Sequence, residues 1–569
     1  AFGANLNFTQ SNRANNTVDI WTVLKDGVTS LPVYDESGGY NIINPLSGQL
    51  FENPLAQAML QKNNTHKTRF LGNWYGMASF KNGLTLKSTF GADINNSKQN
   101  IYHPGELPRR KDQELGGYAK IETWKTVNLL NENTVTYVKE IGKHRFNALA
   151  GATIQHSESE NLWASADGFT NDLLEYNKLS TGDPELRLSD SGFSDWTMVS
   201  FLGRVNYSYN DKYLFTASAR QDGSSRLAKN HKWAFFPSAA VAWRMGEEDF
   251  IKDLGVFYNL KLRASYGKTG NQAIGIYSTL PTLGVTKFFF NENEYVGYRQ
   301  GNLANEDLKW ETTDQYSLGL DAALLDGKLS FEIDTYYKKT KDLLLSVELP
   351  GTTGYSGRID NIGSVENKGI EFMLNALVLE RNDFSWDLSF NIAANRNKVL
   401  DLGTEKGFRD VKAGARLIEG EPAVVFYGAV YEGTWKSQEE IDALPGYMVG
   451  AKPGYPKFKD VNDNGKYDGL DDYDIIGSPE ANFFGGFRNS FTYKNLGLDV
   501  YFNYSYGNDI MNTMSPRFFF GGFASNIHAD ARDRWTESNP TSDIPRAGSH
   551  PIVSVNTPAY SISVHDGSF

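Results

Sequence analysis

Apolar and polar residues alternate with period two across most of this chain, and short polar turns break the pattern at intervals. Over Phe201–Asp222, Phe201, Val205, Tyr207 and Tyr209 descend to a tight Asn210-Asp211-Lys212 turn, and Tyr213, Phe215, Ala217 and Ala219 return. Arg204, Asn206, Ser208, Thr216, Ser218 and Arg220 occupy the other face. Side chains alternate across a strand and not along a helix, so this is a β-hairpin. Leu84–Asp93 repeats the layout after Lys81-Asn82-Gly83, with Leu84, Leu86, Phe90 and Ala92 opposite Thr85, Lys87, Thr89 and Asp93. So does Phe146–Gln155, where Phe146, Ala148, Ala150, Ala152 and Ile154 oppose Asn147, Thr153 and Gln155. The pattern recurs around 233–243, 260–266, 317–337, 384–394 and 487–506. The fold class is therefore all-β and antiparallel.

A soluble sandwich also alternates, so the distribution along each strand decides between the two architectures. Here tyrosines gather at the turn end and small or aliphatic residues lie further along, as in an aromatic girdle beside an apolar band. Some connections are minimal (Asn82-Gly83, Asp326-Gly327-Lys328, Lys494-Asn495). Others are long and rich in Gly, Pro, Asp and Asn: 95–118, 156–195, 268–305, 343–368, 400–480 and 507–560. Tight turns on one rim and long loops on the other predict an antiparallel transmembrane β-barrel with long extracellular loops. Leu84, Phe146, Ala148, Val205, Phe215 and Ala217 are then expected to face lipid, and Arg204, Asn206, Thr216 and Arg220 the lumen. No run of about 18 apolar residues is present, so no helix is expected to span a membrane. The start, AFGANLNFTQ, lacks the charged and apolar regions of a signal peptide.

The 569 residues carry a formal charge of -12, which argues against a nucleic-acid partner held by a basic field. With no cysteine, disulfides, thiolate metal sites and cysteine nucleophiles are excluded. No two of the eight histidines have the i, i+4 spacing of a helical zinc site, and most are expected in loops. GTTGYSG at 351–357 matches a phosphate loop only in glycine content, and carboxylate pairs occur no more often than 68 acidic residues produce by chance. No catalytic residues emerge, and an enzyme is not expected.

One constellation is specific. In DVNDNGKYDGLD, Asp460, Asn462, Asn464, Asp468 and Asp471 stand at positions one, three, five, nine and twelve, with Gly465 at six. This is the spacing of an EF-hand calcium loop, in which Lys466 would add its backbone carbonyl. Aspartate at position twelve reaches less far than the usual glutamate, and the rival is a metal-free Asx turn. No helices flank the loop, so residues 456–476 are expected as a calcium-loop-like insertion on β-structure within an extracellular loop. Aromatic loop residues (Phe288, Phe289, Phe290, Phe518, Phe519, Phe520, Phe523) could stack on sugars or pack against a partner protein.

A series of segments in order resembles one family. They are FLGRVNYSYNDKYLFTASARQDGSSR (201–226), WAFFPSAAVAWR (233–244), LKLRASYGKTGNQ (260–272), NEDLKWETTDQYSLGLD (305–321), DGKLSFEIDTYYKKTKDLL (326–344), NIGSVENKGIEF (361–372), YPKFKDVNDNGKYDGLDDYDIIGSP (455–479), YGNDI (506–510) and DRWTESNPTSDIPRA (533–547). The chain is similar here to SusC/RagA-type TonB-dependent outer-membrane transporters of the Bacteroidetes, and residues 1–199 fit less sharply. The resemblance implies a barrel of about 22 strands when complete, of which residues 1–569 would be a partial wall lacking the plug, the TonB box and the last strands. It also implies import of a nutrient, an oligosaccharide more often than a peptide. TonB would supply energy through the plug, and a SusD-like surface lipoprotein would cap the mouth. The alternative is a non-transporting surface β-protein, an adhesin or glycan binder.

Overall fold

A computed structural model describes residues 1–18, 32–41, 53–291, 293–411, 414–512, 529–548 and 560–569, the side chain at 109 excepted. Among them, fifteen strands form one sheet in which every neighbour is antiparallel and follows in chain order. We number them β1 (Phe2–Ala14), β2 (Lys62–Ser79), β3 (Leu84–His103), β4 (Gly117–Ile141), β5 (His144–Phe169), β6 (Leu188–Tyr209), β7 (Tyr213–Ser224), β8 (Trp233–Trp243) and β9 (Phe257–Asn271). The wall continues with β10 (Glu311–Leu324), β11 (Leu329–Lys341), β12 (Ser364–Arg381), β13 (Phe384–Asp401), β14 (Phe483–Tyr493) and β15 (Leu496–Tyr506). No helix among the described residues is long and apolar enough to cross a membrane.

Register carries the alternation around the wall. Residues directly opposite share a face, and one rung runs Leu84, Tyr137, Ala148, Val205, Ala217, Ala239, Tyr266, Tyr316, Tyr337. Phe146, Tyr207, Phe215 and Val241 form another rung on the same face. Arg204 pairs with Ser218 and Asn206 with Thr216 on the opposite face, which Arg220 shares. The expected partition of these ten residues is observed. Along β8 the band is bounded by Trp233 and Trp243; ten steps of about 3.3 Å at a tilt of about 40° give a height of roughly 25 Å, a hydrocarbon thickness. Ionic side chains join this face beyond the tyrosine row, where Tyr266 donates to Asp314 (2.9 Å) and Tyr337 to Glu366 (3.2 Å). Such rings, apolar in body and hydrogen-bonded at the tip, mark a membrane interface.

All the short connections lie on one rim, and backbone bonds join successive ones: Val138 N–H to Gly83 O (3.0 Å), Asn210 to Lys143 (2.7 Å) and Arg244 to Lys212 (2.8 Å). Asn210 and Asp211 both have φ of 53°, a left-handed pair that Asn and Asp tolerate, in a turn closed by Lys212 N–H to Tyr209 O (3.0 Å). Just beside this turn, the Glu248 carboxylate accepts from Tyr213 Oη (2.6 Å), Trp243 Nε1 (3.1 Å) and Lys212 Nζ (3.1 Å). These donors, Tyr213 and Trp243 first, depress its pKa from 4.5 to about 2. A depressed carboxylate stabilises the fold above its unfolded pKa and loses that contribution as pH falls through the folded value. Acid unfolding of Glu248→Gln should accordingly depend less on pH between about 4.5 and 2 than that of the parent chain, as followed by tryptophan fluorescence.

Two expectations need correction. Segments 95–103, 156–169 and 188–195, read as loop, are strand, because β3 to β6 are 20, 25, 26 and 22 residues long. Above the lipid both faces meet water, so the sequence stops alternating while the hydrogen-bond ladder continues. His66, His103, His144 and His156 lie in strands and His565 in a short one, leaving His231 in a turn. His528 and His550 fall outside the described residues.

Candidate functional site

At the long-loop end, residues 402–411, 414–482, 529–548 and 560–569 build one body. Its core is Ala429, Trp435, Met448, Phe458 and Tyr560, all buried, with Tyr447, Tyr455, Tyr467 and Tyr473 packed around them. Phe458 stacks between Tyr467 (centroids 5.1 Å) and Tyr560 (5.3 Å). Burial pushes the Tyr431 and Tyr467 hydroxyls above their ordinary pKa. Residues about a hundred positions apart are stitched together. Tyr431 N–H donates to Ser561 Oγ (2.8 Å) and Thr434 Oγ1 to Ser542 O (2.6 Å), while Lys436 Nζ reaches Thr541 O (3.1 Å), Ser542 O (2.9 Å) and Asp543 Oδ1 (2.6 Å). The body is rooted on β13: Val399 exchanges backbone bonds with Glu421 and Gly420, and Glu480 Oε1 accepts from Asn397 N–H (2.9 Å) and Asn395 Nδ2 (3.2 Å).

The acidic loop projects from this body between the strand Pro456–Phe458 and the strand Tyr473–Gly477. Its predicted ligands are brought together, but by bonds to one another. Asp460 accepts from Asn464 N–H (3.2 Å) and Gly465 N–H (2.6 Å), Asn462 Oδ1 from Asn464 N–H (3.1 Å), and Asn464 Oδ1 from Lys466 N–H (3.1 Å). Asp468 Oδ2 meets Lys466 Nζ (2.9 Å) and Asn464 Nδ2 (2.9 Å), which hold its carboxyl below the ordinary carboxylate range. The side chain of Asp471 makes no hydrogen bond in the loop; its neighbour Asp472 turns inward instead. Fully buried, it accepts from the N–H groups of Val461 (3.0 Å), Asn462 (3.4 Å) and Asp468 (2.5 Å). Sequence reading missed Asp472, because in the run Leu470-Asp471-Asp472-Tyr473 the spacing template favours the earlier aspartate. Among the described residues no three His, Asp or Glu side chains are grouped so as to hold a metal ion.

The inner face of the wall carries a charge cluster on β9 to β11. Arg263 on β9 reaches across β10 to bond Asp321 (2.6 Å) and Asp334 on β11 (3.0 Å). Gly319 makes that crossing possible, since a Cβ there would stand 2.4 Å from Asp334 Oδ1 and 2.8 Å from Arg263 Cζ. Overpacking of this kind costs about 1–3 kcal/mol. Gly319→Val should lower the urea midpoint accordingly, and Gly267→Val, where a Cβ would meet only Ser238 Cβ at 3.6 Å, should shift it little.

Of the aromatic loop residues, Phe288, Phe289 and Phe290 belong to an exposed hairpin, Leu283–Phe290 with Asn293–Gln300, rather than to a loop. Residues 518–520 and 523 fall outside the described residues.

Comparison with known proteins accounts for this architecture. A family model described as the β-barrel of TonB-dependent receptor-like proteins matches residues 2–416. The chain belongs to this family. It is 39% identical over its whole length to TonB-dependent receptor P26 of Formosa agariphila, covering 57% of that protein. It is 32% identical, over 86% of its length, to TonB-dependent receptor SusC of Bacteroides thetaiotaomicron, covering 49% of it. The chain thus spans about half the length of these relatives. Its whole length superposes on the solved RagAB peptide transporter with a TM-score of 0.85 at 25% identity, covering 62% of that chain. As a member of this family the receptor is an outer-membrane protein, and the apolar face of its wall is the one that meets lipid. The relatives named are receptors and transporters, and none is named as an enzyme.

Proposed function

We propose that the chain forms the barrel wall and loops of a SusC-like importer, which takes up an oligosaccharide across the outer membrane with energy from TonB acting through a plug. It is not an enzyme. The observation that carries this reading is the one-sided architecture: a lipid-spanning wall with tight turns on one rim and a packed loop body on the other. The sequence resemblance to SusC/RagA-type transporters implies a glycan, and the likeness to the RagAB peptide transporter keeps a peptide as the second cargo. An adhesin, the rival class, would not need an apolar belt as tall as a bilayer. Removing the gene should abolish growth on the imported nutrient while leaving attachment to surfaces unchanged; the reverse pattern would favour the adhesin.

In this reading a SusD-like lipoprotein sits over the long-loop rim and leaves the periplasmic turns at Asn82-Gly83, Asn210–Lys212 and Asp326–Lys328 bare. Cross-links from a surface lipoprotein should involve loop lysines such as Lys436 or Lys452, and cross-links to Lys212 or Lys328 would contradict the orientation.

The loop Asp460–Asp471 is proposed to take calcium, with Asp460, Asn462, Asn464, Asp468 and Asp471 as side-chain ligands and the Lys466 carbonyl completing the set. Such an ion binds six to eight oxygens and would displace Lys466 from Asp468. Titrating calcium into chelated protein should release or absorb heat and slow proteolysis of the loop, and Asp460→Ala should abolish both. No heat and unchanged proteolysis would leave the hydrogen-bonded turn alone.

A further inference from the structure

Above the lipid band, β3 to β6 carry four consecutive inward rungs: Asp93–Asn128–Ser157–Trp196, Asn95–Thr126–Ser159–Ser194, Ser97–Trp124–Asn161–Gly192 and Gln99–Glu122–Trp163–Asp190. Their outward neighbours at this height include Lys125, Glu158 and Glu160, so this part of the wall stands in water. The sixteen inward positions hold three tryptophans, one glycine, nine Ser, Thr, Asn or Gln residues and three carboxylates, and no cation. Asp93 is held by Arg69 (2.8 Å) and Glu122 by Lys120 (2.9 Å), which leaves Asp190 as the one carboxylate of the grid without an ion-pair partner among the described residues.

We infer that this grid is a contact surface for an uncharged saccharide chain, with Trp124 and Trp163 as its stacking platforms. The inference rests on the import reading and deepens it by placing the cargo and setting its charge. Tryptophan normally finds a hydrogen-bond partner when it is packed away. Yet among the described residues the indole N–H groups of Trp124, Trp163 and Trp196 have none, and neither do the carboxamides of Asn128 and Asn161. Trp196 is covered by the Arg226 guanidinium, 4.5 Å from its ring centre, and Trp163 carries Lys120 at 5.0 Å. Among the described residues no cation is stacked on Trp124. Across β5 from it Gly192 leaves room for Asn161, since a Cβ there would stand 2.6 Å from Asn161 Oδ1. Trp163, two residues along from Asn161, is the diagonal neighbour of Trp124, within about 7–8 Å. Two adjacent indoles among unspent amides and hydroxyls offer what a sugar chain needs: flat apolar faces for its C–H surfaces, and donors and acceptors for its hydroxyls. The sixteen positions themselves supply no countercharge for a uronate or sulfated saccharide, and Arg69 and Lys120 at their border are already paired with Asp93 and Glu122.

The full chain in detergent micelles would be titrated with neutral hexasaccharides of glucose, xylose, mannose and galactose, with hexagalacturonate and with a neutral hexapeptide, read by calorimetry and tryptophan fluorescence. At least one neutral hexasaccharide should bind, roughly tenfold more weakly to Trp124→Ala or Trp163→Ala, with binding restored by Trp124→Tyr. Trp233→Ala, on the lipid side, controls for general loosening and should leave the affinity unchanged. Tighter binding of hexagalacturonate or of the peptide, equal affinity in the Trp124 and Trp163 variants, or no binding by any neutral hexasaccharide would overturn the assignment. Nutrient uptake by cells separates the two readings. Uptake that needs the receptor but not Trp124 or Trp163 sinks the grid alone, whereas Trp124-dependent binding without any uptake defect in the deletion strain sinks the import reading.

Discussion

Trp435→Ala should unfold the loop body and leave the wall intact. Trp435 is 1% exposed, packs edge-on against Tyr447 (5.7 Å) and lies under the Lys457 ammonium (4.8 Å). Its backbone ties two arms of the body together, donating to Tyr455 O (3.0 Å) and accepting from Gly454 N–H (2.7 Å). Truncating a buried tryptophan costs about 3–5 kcal/mol. A sub-global unit opens more easily than the whole molecule, so a loss of this size should expose 402–482 to protease and raise its hydrogen exchange, while β2 to β12 stay protected. Because the indole N–H of Trp435 has no partner among the described residues, Trp435→Phe loses volume but no hydrogen bond and should cost well under half as much. Equal damage from both variants would show that a bond, not packing, holds the body.

The second large effect is expected in the membrane. Val205 lies opposite Ala148 and Ala217, about halfway up the band. An arginine on the lipid face near the bilayer midplane costs about 2–4 kcal/mol, so Val205→Arg should lower the stability measured by denaturant in lipid vesicles by that amount. Arg204→Val, one residue away and facing the lumen, should change it by much less. A comparable loss at both positions would mean that the two faces are not in different solvents.

The wall was legible because lipid on one side and water on the other force a period of two, and Phe201–Asp222 shows that period plainly. Where both sides are wet, as in Asn95-Asn96-Ser97-Lys98-Gln99-Asn100, the constraint vanishes and the strand could not be told from a loop. The loop body was illegible for another reason. Phe458, Tyr467 and Tyr560 stack across a hundred residues of sequence, and no local pattern announces a contact of that range. In the acidic loop Asp471 satisfies the calcium spacing while its neighbour Asp472 satisfies the backbone, and no spacing template tells the two apart. The inner tryptophans sit in strands whose alternation had already faded, so only the register puts Trp124, Trp163 and Trp196 on one face.

Because the chain has no cysteine of its own, single cysteines can report the solvent at each wall position without background. Spin labels placed one at a time at 204, 205, 206, 215, 216 and 217 in the receptor reconstituted in lipid bilayers would be relaxed with oxygen, which partitions into lipid, and with a water-soluble nickel chelate. Labels at 205, 215 and 217 should be relaxed by oxygen and those at 204, 206 and 216 by nickel, alternating residue by residue. Uniform exposure to nickel at all six positions, or the opposite phase, would contradict a lipid-spanning wall with this register.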